Sequence, residues 1–336
     1  MLTRLDLRGI SDLRDRLPRP SGGGDAQALA DVQAIVADVR ARGDAAVREL
    51  TARFDGPELD SFAVDPAEIA AARDRIPAAL RDALELAAAN IRAYHETQLT
   101  GEVVHERDGI VVRDLLRPVD RAGCYVPGGR AKYPSTVLMT AIPARVAGVG
   151  EVVLCVPPGR DGAVPDEVLA AAAIAGVDEV LRIGGAQAVA AMAYGTETVR
   201  AVDVIVGPGN VYVALAKREV AGAVGVPSSF AGPSEVVVVG DGSVRPQFAA
   251  IDVVLQAEHG PDGLAWLITW DDAYAELVTA EVARIVEASP RRADITATLR
   301  EGGYAVIVDG PEQAMAVANA IAPEHLELLV DDPESL

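Results

Sequence analysis

From residue 152 onward, aliphatic runs of strand length alternate with stretches of helix length, and this alternation constrains the fold more than any other feature. The runs are VVLCV (152–156), VLRIG (180–184), VDVIVG (202–207), EVVVVGD (235–241), LAWLITW (264–270), YAVIVD (304–309) and LELLV (326–330). Helical patterns fit between them at 166–175, 186–195, 210–222, 245–257, 272–288 and 311–321. The runs are predominantly aliphatic, as strands covered on both faces are. Strand–helix–strand connections of this length join parallel neighbours. The expected class is therefore α/β, with parallel sheets under helices on both faces.

The first third reads differently. PRPSGGGD (18–25) is a Pro/Gly break that sets off a short amino-terminal arm. Beyond it, Leu29, Val32, Ile35, Val36 and Val39 recur at helical spacing. Gly43 interrupts that helix and a second runs to about Phe54; a third helical region, broken at Pro77, covers 66–98. IVVRDLL (110–116) predicts a strand, and RPVDRAGCYVPGG (117–129) a loop.

Fifty acids against 30 bases give a net charge of −20, which repels nucleic acid and anionic membranes. Two cysteines, Cys124 and Cys155, make no disulfide framework and fit a reducing cytoplasm. The amino terminus has no apolar signal region, and no uncharged apolar run is long enough to span a membrane.

Three strands run into small-residue turns that open helices: IGGAQAVA (183–190), IVGPGNVY (205–212) and FAGPSEVV (230–237). Such turns either simply connect a strand to a helix or present backbone N–H groups to phosphate or carboxylate. No G-x-G-x-x-G follows a strand, so the usual dinucleotide fingerprint is absent. Of four histidines, His95 (at a helix end) and His105 (in a charged loop) read as surface residues. His259, in QAEHG, is either a zinc ligand, with Glu258 as the residue that spacing favours beside it, or a helix-terminal His on the dipole. Glu324 and His325, adjacent at a strand entry, suit acid–base work near neutral pH. Neither cysteine reads as a nucleophile, because Cys155 lies in an apolar strand and Cys124 has no base near it in sequence.

At these residues the chain resembles the histidinol dehydrogenases. The segments that carry the resemblance are RPVDRAGCYVPGGRAKYPSTVLMTAIPARVAGV (117–149), GGAQAVAAMAYGTETV (184–199), VDVIVGPGNVYVALAKREV (202–220), AGPSEVVVV (231–239), LQAEHGPD (255–262) and APEHLELL (322–329), with VRARGDAAVRELTARFDG (39–56) upstream. The resemblance implies oxidation of L-histidinol to L-histidine in two hydride transfers to NAD, with one Zn2+ per subunit. It makes Tyr125, Gln187 and Asn210 the NAD contacts and Ser234 a substrate contact. It makes Gln256, in place of Glu258, a zinc ligand together with His259, both also facing substrate. Glu324 and His325 become the acid–base pair, with His325 touching substrate as well. It further implies two interleaved incomplete Rossmann-like domains behind an arm at 1–20, one from 21–124 plus 236–336 and one, carrying NAD, inserted at 125–235. The family is a cytoplasmic homodimer whose carboxy-terminal tail completes the partner's site; that tail lies beyond Leu336 and supplies an Asp and a His to zinc and a Glu and a His to substrate. Relatives usually carry Asp where Ser228 stands here. Two other functions share these motifs: a zinc- and NAD-dependent dehydrogenase of another small polar alcohol, such as a sulfonated diol, and a non-catalytic short paralogue.

Overall fold

A computed structural model describes residues 1–13, 16–18, 26–128, 132–228, 234–258 and 263–336. In chain order, β1 (Thr3–Asp6) precedes four helices, α1 (Ala26–Arg42), α2 (Asp44–Phe54), α3 (Pro66–Arg75) and α4 (Ala78–Glu96). A hairpin, β2 (Val103–Arg107) and β3 (Ile110–Asp114), leads to β4 (Arg121–Tyr125), α5 (Pro134–Val146), β5 (Glu151–Cys155), α6 (Asp166–Ala175), β6 (Glu179–Leu181), α7 (Gly185–Tyr194), β7 (Val204–Val206) and α8 (Val211–Val220). The remainder is β8 (Glu235–Gly240), α9 (Pro246–Glu258), β9 (Leu264–Thr269), α10 (Asp272–Ala288), α11 (Arg292–Gly302), β10 (Gly303–Ile307), α12 (Pro311–Ile321) and β11 (His325–Leu329).

The chain divides into two units, 24–231 and 1–23 with 232–336. In the first, a parallel sheet runs β6-β5-β4-β7. Alternate residues of each strand feed opposite layers: Tyr125, Val153 and Cys155 pack under α7 and α8, whereas Cys124, Val152 and Leu154 pack under α5 and α6. The chain steps from β4 to β5 to β6 and then jumps back across β4 to β7. That reversal opens a crevice at the carboxyl ends of β4 and β7, where α/β sheets bind ligands.

In the second unit a parallel sheet runs β1-β10-β9-β8-β11. Its direction reverses between β8 and β11. Both sheets have the expected parallel Rossmann-like build.

The division between units differs from the expected one. Helices α1–α4 do not join the sheet of the second half; α1 and α2 pack on α7 and α8, and α3 and α4 on α5 and α6. The stripe Val32, Val36 and Val39 is completed by Met192 and Ile205 in one apolar layer. The four-stranded sheet has only its own connecting helices, so these amino-terminal helices extend the cover of both its faces. The arm is no separate piece either, because Thr3–Asp6 pair with Tyr304–Ile307 as an edge strand.

Other local expectations also change. RAGCY, read as loop, is a fully buried strand at the centre of its sheet. The expected element order lacks the helices at Pro134–Val146 and Arg292–Gly302. The third small-residue turn leads from Ser234 into β8, a strand and not a helix. His105 sits in β2 opposite Val112 rather than in a loop, though it is exposed.

Candidate active site

The carboxyl edge of the four-stranded sheet gathers Tyr125, Gln187 and Asn210. Tyr125 ends β4 and is buried; its hydroxyl accepts the Gly185 N–H at 3.0 Å. Burial is the main reason its phenol is pushed up to about 12, so it stays protonated. Gln187 lies in the first turn of α7 with 1 % exposure, and its Nε2 has no hydrogen-bond partner. A buried amide donor left unmatched costs stability unless something arrives to accept from it. Asn210 caps α8: its Oδ1 accepts the Val213 N–H at 3.2 Å, which leaves its amide NH2 free at the exposed helix start.

Glycines shape the floor. A Cβ on Gly207, which has φ +105°, would sit 2.0 Å from the Tyr125 carbonyl oxygen. One on Gly184 would lie 2.7 Å from Pro157. Both turns open helices, whose first N–H groups and positive dipole end favour an anionic ligand. An orphaned donor, backbone free of side chains and two helix starts at a strand-order reversal fit a dinucleotide.

The amino edge of the five-stranded sheet gathers a second set. Parallel strands return through antiparallel helices, so α9 ends where β8 begins. Gln256, in the last turn of α9, is buried and donates Nε2–H to the Ser234 carbonyl at 2.9 Å. Its Oε1 is the amide's acceptor atom, the kind of oxygen a metal takes. Glu258 is drawn off by Arg291, whose Nη1 donates to it at 3.2 Å. That contact gives the Glu258 carboxylate a cationic partner of its own. His259 lies outside the described residues, and among those described no three His, Cys, Asp or Glu side chains converge as a metal cluster.

His325 opens β11 opposite Val236 of β8, so Glu324 and His325 stand beside Ser234 and Glu235. Both side chains are more than half exposed, with His325 Nε2 3.8 Å from Glu324 Oε1. At that distance they form no hydrogen bond, and each is free to exchange protons with a ligand. Burial raises the Glu235 carboxyl, opposed by a hydrogen bond it accepts from the Glu324 backbone N–H.

Sequence reasoning missed a second carboxyl pair. Glu327 follows His325 by two along β11 and therefore shares its face, while Asp252 precedes Gln256 by one turn of α9. Burial, and then the charge and hydrogen bond of Asp252, push Glu327 up to about 7. It also missed Lys217, whose buried Nζ donates to the Gly207 carbonyl at 3.0 Å. The cysteines are inert as expected: burial pushes Cys124 up to about 11 and Cys155 higher still.

The family model described as histidinol dehydrogenase matches residues 20–336. The chain is 55 % identical to the histidinol dehydrogenase of Pseudomonas aeruginosa over 90 % of its own length and 69 % of the relative's. It is 44 % identical to that of Methanothermobacter thermautotrophicus, over 99 % of this chain and 77 % of the relative. The crystal structure of histidinol dehydrogenase from Elizabethkingia anophelis superposes with a TM-score of 0.93 at 33 % identity, covering 99 % of this chain and 77 % of that one. Sequence and fold agree along the whole described chain, which belongs to the histidinol dehydrogenase family of NAD-dependent oxidoreductases.

Proposed function

We propose that this chain oxidises L-histidinol to L-histidine through the aldehyde, with Glu324 and His325 as its acid–base pair. The observation that carries this reading is their exposed placement at the start of β11, on the edge where the Gln256 amide is held by the Ser234 carbonyl. His325 takes the hydroxyl proton as the carbinol hydrogen leaves as hydride. Glu324 takes a proton from the water that adds to the aldehyde carbon, while His325 returns its own proton to the carbonyl oxygen, which gives the hydrate and leaves His325 neutral. His325 then accepts the hydroxyl proton of the hydrate as the second hydride departs, and a carboxylic acid results. Ser234 holds substrate beside them. Tyr125, Gln187 and Asn210 hold NAD, which when bound supplies the hydride acceptor. Zn2+ held by Gln256 Oε1 and His259 would supply Lewis acidity toward the alcohol oxygen and orient the amino alcohol.

We further propose a cytoplasmic homodimer in which the tail of one copy completes the partner's site. Among the described residues no helix is long and apolar enough to cross a membrane.

The test is NADH absorbance with L-histidinol and added zinc. The expected result is two NADH per histidinol, and a loss of about 10²–10⁴-fold in rate in His325→Ala. Two NADH per histidinol with His325→Ala at the parent rate would remove His325 from the mechanism. Turnover of another polar alcohol, with none of histidinol, would move the substrate.

A further inference from the structure

Among the described residues two cationic side chains are buried, Arg121 and Lys217. They are handled differently. Arg121 meets Glu179 at 2.5 Å, and Glu151 as well, so its charge is neutralised where it lies. Lys217, 6 % exposed, has a backbone carbonyl as its partner, that of Gly207, and among the described residues no acid offsets it. Burying an ammonium without a counter-ion is costly, and desolvation here lowers its pKa. A tether to one carbonyl does not require a charge, since a Gln or Ser would serve.

The position of the charge gives it a use. Gly207 is the first residue of the GPGN turn between β7 and α8, at the strand-order reversal beside Tyr125. The turn is tight: a Cβ on Gly209 would lie 2.4 Å from Val213. Lys217 therefore puts positive charge beneath a turn whose upper side is the start of α8, capped by Asn210. The chain as a whole carries a net charge of −20, a field that opposes an anionic ligand.

We propose that Lys217 is the residue whose charge holds the diphosphate of the dinucleotide at the GPGN turn, as a positioning residue acting from behind the backbone. The proposal rests on the reading that NAD binds at this turn. It also accounts for the absent counter-ion: an acid beside Lys217 would cancel the field that the diphosphate is to meet.

The experiment compares ADP-ribose with adenosine by titration calorimetry on the whole protein, in the parent, Lys217→Met and Lys217→Gln. A charge of this kind predicts that both variants lose about tenfold or more in ADP-ribose affinity while adenosine binding is unchanged. Gln can keep the hydrogen bond to Gly207 without the charge, so it decides the matter even where Met disturbs folding. Parent-like ADP-ribose affinity in Lys217→Gln would overturn the proposal and leave Lys217 a tether. Equal losses for ADP-ribose and adenosine would overturn it too, since a collapsed turn affects both. A parent that binds ADP-ribose no better than adenosine would instead remove the NAD reading on which the proposal stands.

Discussion

Asp55 gives a test of the buried electrostatics around Tyr125. It ends α2, its N–H bonded to the Thr51 carbonyl at 2.8 Å, and its Oδ2 is buried with no hydrogen-bond partner. Burial alone pushes its carboxyl from 3.8 to about 6, and its charge reaches the Tyr125 phenol. A folded-state pKa above the unfolded one means that the folded form prefers the proton. Stability is then fully present below about pH 4 and is lost as pH rises through about 6. Two pKa units correspond to about 3 kcal/mol, and solvent access to part of the group reduces this to about 1.5 kcal/mol. Asp55→Asn removes the titration. At pH 7 it should melt about 3–6 °C above the parent, taking 2–4 °C per kcal/mol at this size. The gap should close as pH falls toward 4. Melting curves across that range are the assay. A variant less stable than the parent at pH 7, or a difference that does not change with pH, would refute the reasoning and mean that the Asp55 carboxylate has a partner that stabilises it.

Three further outcomes follow from the same geometry. Glu327, held at about 7 by burial and by Asp252, has its folded pKa raised, so it too contributes stability that is lost as pH rises through 7. Glu327→Gln should flatten the parent's decline in melting temperature between pH 6 and 8, and an unchanged slope would count against a shared proton. Gly207→Ala places a Cβ 2.0 Å from the Tyr125 carbonyl at φ +105°, and should cost at least about 2 kcal/mol in urea unfolding. Cys124→Ser and Cys155→Ala should leave the NADH stoichiometry intact, and a thiol reagent should not inactivate the native enzyme; rapid inactivation would put a thiol in the chemistry.

The seven aliphatic runs were legible because strands packed in a sheet under helices are rich in aliphatic side chains, whatever packs on them. RAGCY was not, and the reason is steric. A Cβ on Gly123 would lie 2.7 Å from Met192 Sδ, so α7 can approach the middle of this sheet only over a small residue. A central strand made of Ala, Gly and Cys has the composition of a loop. Helix α11 was hidden because only Ile295, Thr298, Leu299 and Gly302 of its eleven residues are buried. The site was legible where neighbours in sequence are neighbours in space, as Glu324 and His325 are. The pairing of Glu258 with Arg291, 33 residues away, is not announced by any local pattern. Asp252 and Glu327 meet because β11 and α9 come together, and no local pattern announces it. Lys217 lies in the last turn of α8 and is buried there, which no local pattern announces.

The two candidate sites lie at opposite kinds of sheet edge, and helix electrostatics gives a reason. At the carboxyl edge of a parallel sheet each strand hands over to a helix start, with free N–H groups and a positive dipole end. That is where Tyr125, Gln187 and Asn210 stand, and it suits a ligand with two phosphates. At the amino edge the helices end, with free carbonyls and a negative dipole end. Gln256 lies in such an ending, and Glu235, Glu324 and Glu327 add carboxyl groups there. This edge suits a divalent cation, the ammonium of an amino alcohol and a histidine that must accept protons. On the proposed reading, the general rule that α/β sheets bind at their carboxyl ends would hold for the dinucleotide and be reversed for the chemistry, because the two ligands carry opposite charge. An exchange of charge at either edge should therefore affect one ligand and spare the other. Glu235→Gln should weaken amino-alcohol and zinc binding while leaving ADP-ribose affinity at the parent's value, and a loss of ADP-ribose binding in that variant would contradict the division.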